Sequence, residues 1–497
     1  MSSSAESVRQ DRRRWLALIV VCLAMLMNAL DATVVNVALP KIQHDLHFTQ
    51  AGLAWVIDAY LVAFAGFLLM SGRLGDLIGR KKVFLGGLAI FTAASAVCGL
   101  SHSQGLLIAA RFVQGMSGAL STSVILAIIA TEFHDTRERA RAMSAYIFVA
   151  VGGGSVGLLA GGFLTQALNW HWIFYINLPI GVITLILGFL LVPENKGLGV
   201  REGVDVLGSI LVTAGLMLGV YAVVKSSDYG WGSVRTLGVG AVAVALIAAF
   251  FLLESRLAKP IMPLRILRVR GLLSSSLVRG FLFTGMWACF FLGALYLEHV
   301  LGYSALRTGL AFLPMTLIIA ALSSGVTARL VTSFGPWRVF MPAMALVIAG
   351  LAILSQAGVH ASYFPDLFLA FLLMGAGMGT ASVPLLTIAM AEVPMADAGL
   401  ASGIVNVSMQ ISGALGVAVL GTIATAHTKA LTSRGSPLAE ALTAGYHLAF
   451  LIAAACVAVG MLVAVALLRP SRIRLPGAAS APARLEPRGE AGASTHS

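Results

Sequence analysis

Uninterrupted apolar runs recur along almost the whole chain, separated by short stretches that carry its charge. Each run is about 18–25 residues long, enough for a helix to cross a hydrocarbon core of roughly 30 Å. About fourteen helical spans are expected by the length rule, near 15–39, 52–71, 83–101, 105–130, 142–168, 171–192, 204–224, 236–253, 271–299, 307–330, 338–357, 364–390, 399–425 and 446–468. The basic residues before Trp15 give the N-terminus the look of a signal peptide, but the first run is too long and is followed by many more. It reads as an uncleaved first span.

An even number of spans puts both termini on one side, and the basic residues say which. Alternate loops hold Arg73, Arg80, Lys81 and Lys82, then Arg137, Arg139 and Arg141, then Arg256, Lys259, Arg265, Arg268 and Arg270, then Arg329 and Arg338. The opposite loops hold Lys41, Lys225, Arg235, Arg307, Lys429 and Arg434. The asymmetry predicts cytoplasmic termini in a multi-pass protein of the inner (plasma) membrane.

Composition sharpens this picture. Hydrophobic residues make up 58% of the chain and charged ones 11%, which excludes a soluble enzyme. The formal net charge of +12 sits mainly in short loops, not in a basic stripe interleaved with aromatics, so no nucleic-acid partner is expected. Cys22, Cys98, Cys289 and Cys456 all lie in apolar runs and read as packing residues. His44, His47, His102, His171 and His360 fall in outer loops and read as solvated. No residue spacing suits a metal or a phosphate-binding loop, so no cofactor and no ATP hydrolysis are expected.

The chain also repeats itself. Gly72-Arg73-Leu74 through Gly79 to Val83 is echoed by Ala328-Arg329-Leu330 through Gly335 to Val339. Gly153 and Gly161 match Gly413 and Gly421. Two similar six-span halves, with spans seven and eight inserted between them, fit this pattern. Such repeats are the trace of a transporter with its site between the halves.

Charges inside hydrocarbon are costly and tend to line cavities. Helical rise puts Asp31 roughly 13 Å, Asp58 roughly 9 Å and Arg111 roughly 10 Å from the outer ends of their spans, so all three can share one layer. Either acid can serve as the proton acceptor, with Arg111 biasing it: an adjacent guanidinium favours the carboxylate, while burial favours the neutral acid. A purely structural ion pair is the alternative. Arg279, about eight residues into span nine, either meets an anionic group or snorkels to the headgroups. Gly153, Gly157 and Gly161 recur at i+4 on one face, a spacing that permits close helix packing, static or sliding. Trp55, Tyr60, Phe112, Phe283, Trp287 and Tyr296 either line a cavity or anchor span ends.

The stretch Gly72-Arg73-Leu74-Gly75-Asp76-Leu77-Ile78-Gly79-Arg80-Lys81-Lys82-Val83 resembles the signature loop of the major facilitator superfamily. Leu30-Asp31-Ala32-Thr33-Val34-Val35-Asn36-Val37-Ala38-Leu39-Pro40, Arg111-Phe112-Val113-Gln114-Gly115 and Trp172-Ile173-Phe174-Tyr175-Ile176-Asn177-Leu178-Pro179-Ile180-Gly181 resemble motifs of its fourteen-span drug:proton antiporter branch. The resemblance implies an all-α polytopic fold with two six-helix bundles, residues 15–195 and 265–470. A linker, 196–264, carries the two extra spans; a cytoplasmic segment, 1–14, precedes them and a disordered cytoplasmic tail, 471–497, follows.

It implies secondary active export of small hydrophobic or cationic drug-like molecules in exchange for protons, by alternating access. A dedicated exporter of one antibiotic or metabolite is the runner-up; a nutrient symporter or a non-transporting membrane sensor ranks below it. Its partners are then the small-molecule substrate, protons and the lipid bilayer, with the need for a periplasmic adaptor left open. Gly72, Arg73, Gly75, Asp76, Gly79 and Arg80 are expected to form a cytoplasmic gate, Asp76 facing the start of span thirteen. Gly153, Gly157, Gly161 and Gly162 are expected to form a helix-packing hinge. The family's fifth-span motif carries a proline where this chain has Leu158.

Overall fold

The computed structural model describes residues 2–133, 135–195, 197, 205–257, 260, 262–391, 393 and 398–468. Helices occupy nearly all of them. In chain order they are α1 (Ser2–Val34), α2 (Leu39–Leu46), α3 (Gln50–Leu53), α4 (Trp55–Ile78), α5 (Arg80–Gly99), α6 (Gln104–Glu132), α7 (Thr136–Ala167), α8 (Trp172–Tyr175) and α9 (Asn177–Leu191). Then come α10 (Val206–Tyr229), α11 (Val234–Arg256), α12 (Arg270–His299), α13 (Ala305–Ala321), α14 (Thr327–Phe334), α15 (Pro336–Leu354), α16 (Phe368–Met390), α17 (Ala398–Thr432) and α18 (Leu438–Leu467).

Among the described residues, 12 helices are long and apolar enough to cross a membrane. Two shorter apolar helices, Gly52–Leu68 and Ala305–Ala321, fall at the second and tenth expected spans. The chain is therefore an all-α polytopic membrane protein. Its outward surface carries Phe148, Phe163, Phe189, Val244 and Leu462, all exposed, as suits a surface solvated by lipid rather than water. Residues 2–14, expected as a separate segment, continue α1 without a break. The expected tail, 471–497, lies outside the described residues.

Helix ends follow local chemistry. Ser103, Asp205, Ser233 and Ser304 each accept a backbone N–H from the first turn of α6, α10, α11 and α13. Between α4 and α5 stands a single residue, Gly79, at φ +106°, and between α14 and α15 stands Gly335 at φ +81°. Only glycine enters that region without strain. The repeated sequence therefore builds the same one-residue turn twice.

Packing repeats as well. α1 packs on α7 and α9, α5 on α6 and α9, and α4 on α6. In the second half, α12 packs on α17 and α18, α15 on α16 and α18, and α13 on α16. Two seams join the halves, α7 against α13 and α4 against α17. The second seam has a cover: α10 lies on both α4 and α17, with Thr213 against Gly66 and the Thr422 hydroxyl donating to the Val223 carbonyl at 3.4 Å. α11 packs mainly on α10, and only 17% of its most apolar window is buried, so it faces lipid.

Candidate functional site

A buried polar cluster lies where α1, α4, α5, α6 and α9 meet. Arg111 of α6 donates to Asp31 of α1 at 2.5 Å, to the Gln114 side-chain oxygen at 2.9 Å and, through Nε, to the Val56 carbonyl of α4 at 2.9 Å. The other Asp31 oxygen accepts from Gln114 and from Asn177 of α9, each at 3.0 Å. Gln114 donates further to the Ser95 hydroxyl at 2.7 Å and accepts from the Cys98 thiol at 3.1 Å. The guanidinium sits 4.5 Å from the Tyr60 ring centre and 5.9 Å from that of Phe174. Asp31, Gln114, Asn177 and Ser95 are fully buried and Arg111 is 2% exposed.

Local sequence explains the assembly. Gln114 follows Arg111 by three residues, so both lie on one face of α6. Gly115 lets α6 meet α4 closely enough for Arg111 to reach a backbone carbonyl: an added Cβ would collide with the Tyr60 backbone. Asp31 and Arg111, expected in one layer, are thus in contact. Asp58 is different. It is fully buried, and among the described residues neither of its carboxyl oxygens has a hydrogen-bond partner.

Gln114 and Asn177 stand inside motifs noted in the sequence, but their role came from the fold. Each is a polar side chain in an apolar run, and that was the available signal. Cys98, expected as plain packing, joins the network through its thiol. His171, expected as solvated, is half-buried: it stacks on Trp170 at 3.8 Å and pairs with the Gly99 carbonyl at 2.9 Å.

The signature loop is placed at the α4–α5 turn. Gly75 packs directly on Val124, Gly79 makes the turn, and an added Cβ at Gly79 would lie 2.8 Å from the Asn195 carbonyl. Gly72 faces open space. Arg73 is half-buried, and Arg80 donates to the Ala127 carbonyl at 3.4 Å. The Asp76 side chain and the residues just before α17 lie outside the described residues. Lys81 does more than mark topology, since it donates to the Phe189 carbonyl at 2.8 Å.

The fifth-span glycines serve two neighbours. Gly153, Gly157 and Gly161 face α1, where an added Cβ would lie 2.9 Å from Ala29, 3.0 Å from the Leu30 carbonyl and 2.7 Å from the Val34 carbonyl respectively. Gly162 faces α13, 2.7 Å from the Ala305 carbonyl by the same measure. Gly413 and Gly421 repeat the first arrangement against Trp287 and Phe291 of α12. α7 runs as one helix through Leu158, whose carbonyl packs on Gly309 of α13. Among the described residues no group of three or more His, Cys, Asp or Glu side chains is placed to hold a metal.

A long-helix fold with repeated halves and a charged cluster buried among helices defines a polytopic secondary transporter. Residues 21–417 match the Major Facilitator Superfamily, and the chain belongs to it, in its multidrug- and antibiotic-resistance-linked branch. It is a non-enzymatic secondary transporter of the drug and metabolite efflux type.

Among its relatives, the puromycin resistance protein pur8 of Streptomyces alboniger is 38% identical, over 94% of this chain and 92% of that one. The cephamycin export protein CmcT of Amycolatopsis lactamdurans is 35% identical over 82% of this chain and 84% of its own. The tetracenomycin C resistance and export protein of Streptomyces glaucescens is 34% identical over 83% and 76%. In fold, the chain is similar to a bacterial homologue of the lysosomal transporter Spinster, with a TM-score of 0.66 at 16% identity, over 93% of this chain and 99% of that one.

Proposed function

We propose that the chain exports small hydrophobic molecules, cationic drug-like ones among them, across the inner membrane in exchange for protons. Residues 15–195 and 265–470 act as two six-helix bundles that rock about a central cavity, with α10 and α11 inserted between them. The two shorter apolar helices bring the crossings to fourteen, and both termini are cytoplasmic. The paired turns at Gly79 and Gly335 and the mirrored helix contacts support this arrangement.

The observation that carries proton coupling is the unequal treatment of two buried acids. Asp31 has a cation and two amide donors, as a buried carboxylate requires. Asp58 has neither cation nor donor among the described residues. An isolated buried carboxylate costs far more than a neutral acid, so Asp58 carries a proton in this conformation. Opening its surroundings to water on the other side releases that proton. Asp58 is therefore the proton carrier, and the Asp31–Arg111 pair holds the bundle around it. The signature-loop residues Gly72, Arg73, Gly75, Asp76, Gly79 and Arg80 act as the cytoplasmic gate. Gly153, Gly157, Gly161 and Gly162 form the contact along which α7 slides.

Vesicles containing the purified protein, with an imposed pH gradient, test this with ethidium, puromycin and tetracenomycin C as probes. Gradient-driven accumulation in the native protein, lost in Asp58→Asn while ligand binding survives, is the expected outcome. Undiminished coupling in Asp58→Asn refutes the assignment. A dedicated exporter is the second reading, favoured by relatives named for single compounds, and flux of one probe alone selects it.

A further inference from the structure

The second half of the molecule contains a cation treated quite unlike Arg111. Arg279 on α12 makes no ion pair among the described residues. Its Nε is buried without a partner, and one terminal nitrogen points at the Met409 sulfur of α17, 3.9 Å away. A thioether is a weak acceptor and leaves the guanidinium charge uncompensated. The guanidinium carbon lies 4.9 Å from the centre of the Phe283 ring. Two turns along α12 the indole N–H of Trp287 is also buried without an acceptor, while the ring edge rests on Gly413 of α17.

Arg279, Phe283 and Trp287 are spaced i, i+4, i+8, so they form one stripe on α12. The stripe holds two donor-only groups with an aromatic ring between them, about 12 Å end to end. A snorkelling cation would face the lipid, yet α12 is the span most enclosed by protein, with 83% of its apolar window buried. Arg279 itself is half-buried, at the open end of a stripe whose Phe283 and Trp287 are buried. A buried donor without an acceptor destabilises the state that holds it. That cost is recovered when an acceptor arrives with a ligand.

We infer that Arg279, Phe283 and Trp287 form a subsite for the anionic, hydrogen-bond-accepting group of a flat aromatic substrate, such as a carboxylate or phenolate on a fused-ring system. The guanidinium pairs with the anion, Phe283 and Trp287 stack on the rings, and the indole N–H takes a second acceptor. The subsite rests on the transport reading above, since only a transported or inhibitory small molecule enters that interior. It adds a substrate class to the hydrophobic and cationic ones.

The test is equilibrium binding of three matched fluorescent probes to the full-length protein in lipid nanodiscs: anthracene-9-carboxylate, anthracene-9-methanol and anthracene-9-methylammonium. The native protein is expected to bind the carboxylate at least about tenfold tighter than the alcohol, the worth of one charge-assisted bond. Arg279→Gln removes that preference, bringing carboxylate affinity down to that of the alcohol; Arg279→Lys keeps part of it. Trp287→Phe weakens the carboxylate a few-fold without touching expression. Equal affinity for carboxylate and alcohol, preference for the ammonium, no binding of any probe, or an equal loss for all three in Arg279→Gln each overturns the inference. Binding needs no proton gradient, so this result is separable from failure of coupling, which shows as binding without gradient-driven flux.

Discussion

The Asp31–Arg111 pair offers the most demanding test of the fold as described. Arg111→Met keeps an unbranched chain of similar volume but removes the cation that faces Asp31. The carboxylate then retains only Gln114 and Asn177 as donors, inside a fully buried site. Breaking a buried pair from one side costs about 3–5 kcal/mol, because the remaining charge is uncompensated. Loss of the bonds to the Val56 carbonyl and to Gln114 adds about 1 kcal/mol each. Asp31→Asn strands the guanidinium instead and costs about 3–5 kcal/mol. The double variant leaves no lone charge, so it is expected to be more stable than the sum of the two single-variant costs predicts, with a coupling of about 2–3 kcal/mol. Titration of the purified protein from mild detergent into SDS, followed by circular dichroism, measures all four corners of this cycle. Costs that add within about 0.5 kcal/mol refute the pairing and the network built on it.

The α7–α1 contact makes a steric prediction. Gly157→Val places a branched side chain 3.0 Å from the Leu30 carbonyl and into the Thr33 hydroxyl, and is expected to cost about 1–3 kcal/mol of stability in the same titration. A variant as stable as the native protein places α7 elsewhere. The third prediction concerns pH. Burial lowers the His171 imidazole below its usual 6.5, the Gly99 carbonyl and Asp45 partly oppose this, and His102 adds to it. The folded protein therefore favours neutral His171. That stabilisation is complete above the unfolded value and is lost as pH falls below it towards the lowered folded value. The thermal midpoint is expected to drop less in His171→Phe than in the native protein between about pH 7 and about pH 5; equal drops refute it.

Spans and repeats were legible in the sequence, the spans because the bilayer imposes them locally. A helix must satisfy its own backbone in hydrocarbon, so a run such as residues 338–357 announces itself by length alone. Gly79 and Gly335 were legible as matching positions of the repeat, and the structure gives each a positive φ, which selects glycine. That Asp31 and Arg111 could share one layer was read from helical rise, a one-dimensional quantity, and the two are in contact.

Which of those charges meet was decided by tertiary structure. Asp58 was expected at a depth similar to Arg111, yet the guanidinium turns to Asp31, with Gly115 drawing α6 onto α4 and α9 bringing Asn177 to the same carboxylate. Arg279, which sequence left between snorkelling and an anion site, stands on a span that is mostly enclosed by protein, and only the packing of the helices shows that. Apolar length and backbone torsion are properties of a segment, and the amino-acid order determines them. Pairing of buried charges depends on the rotation and approach of several helices at once, and no single segment contains that information.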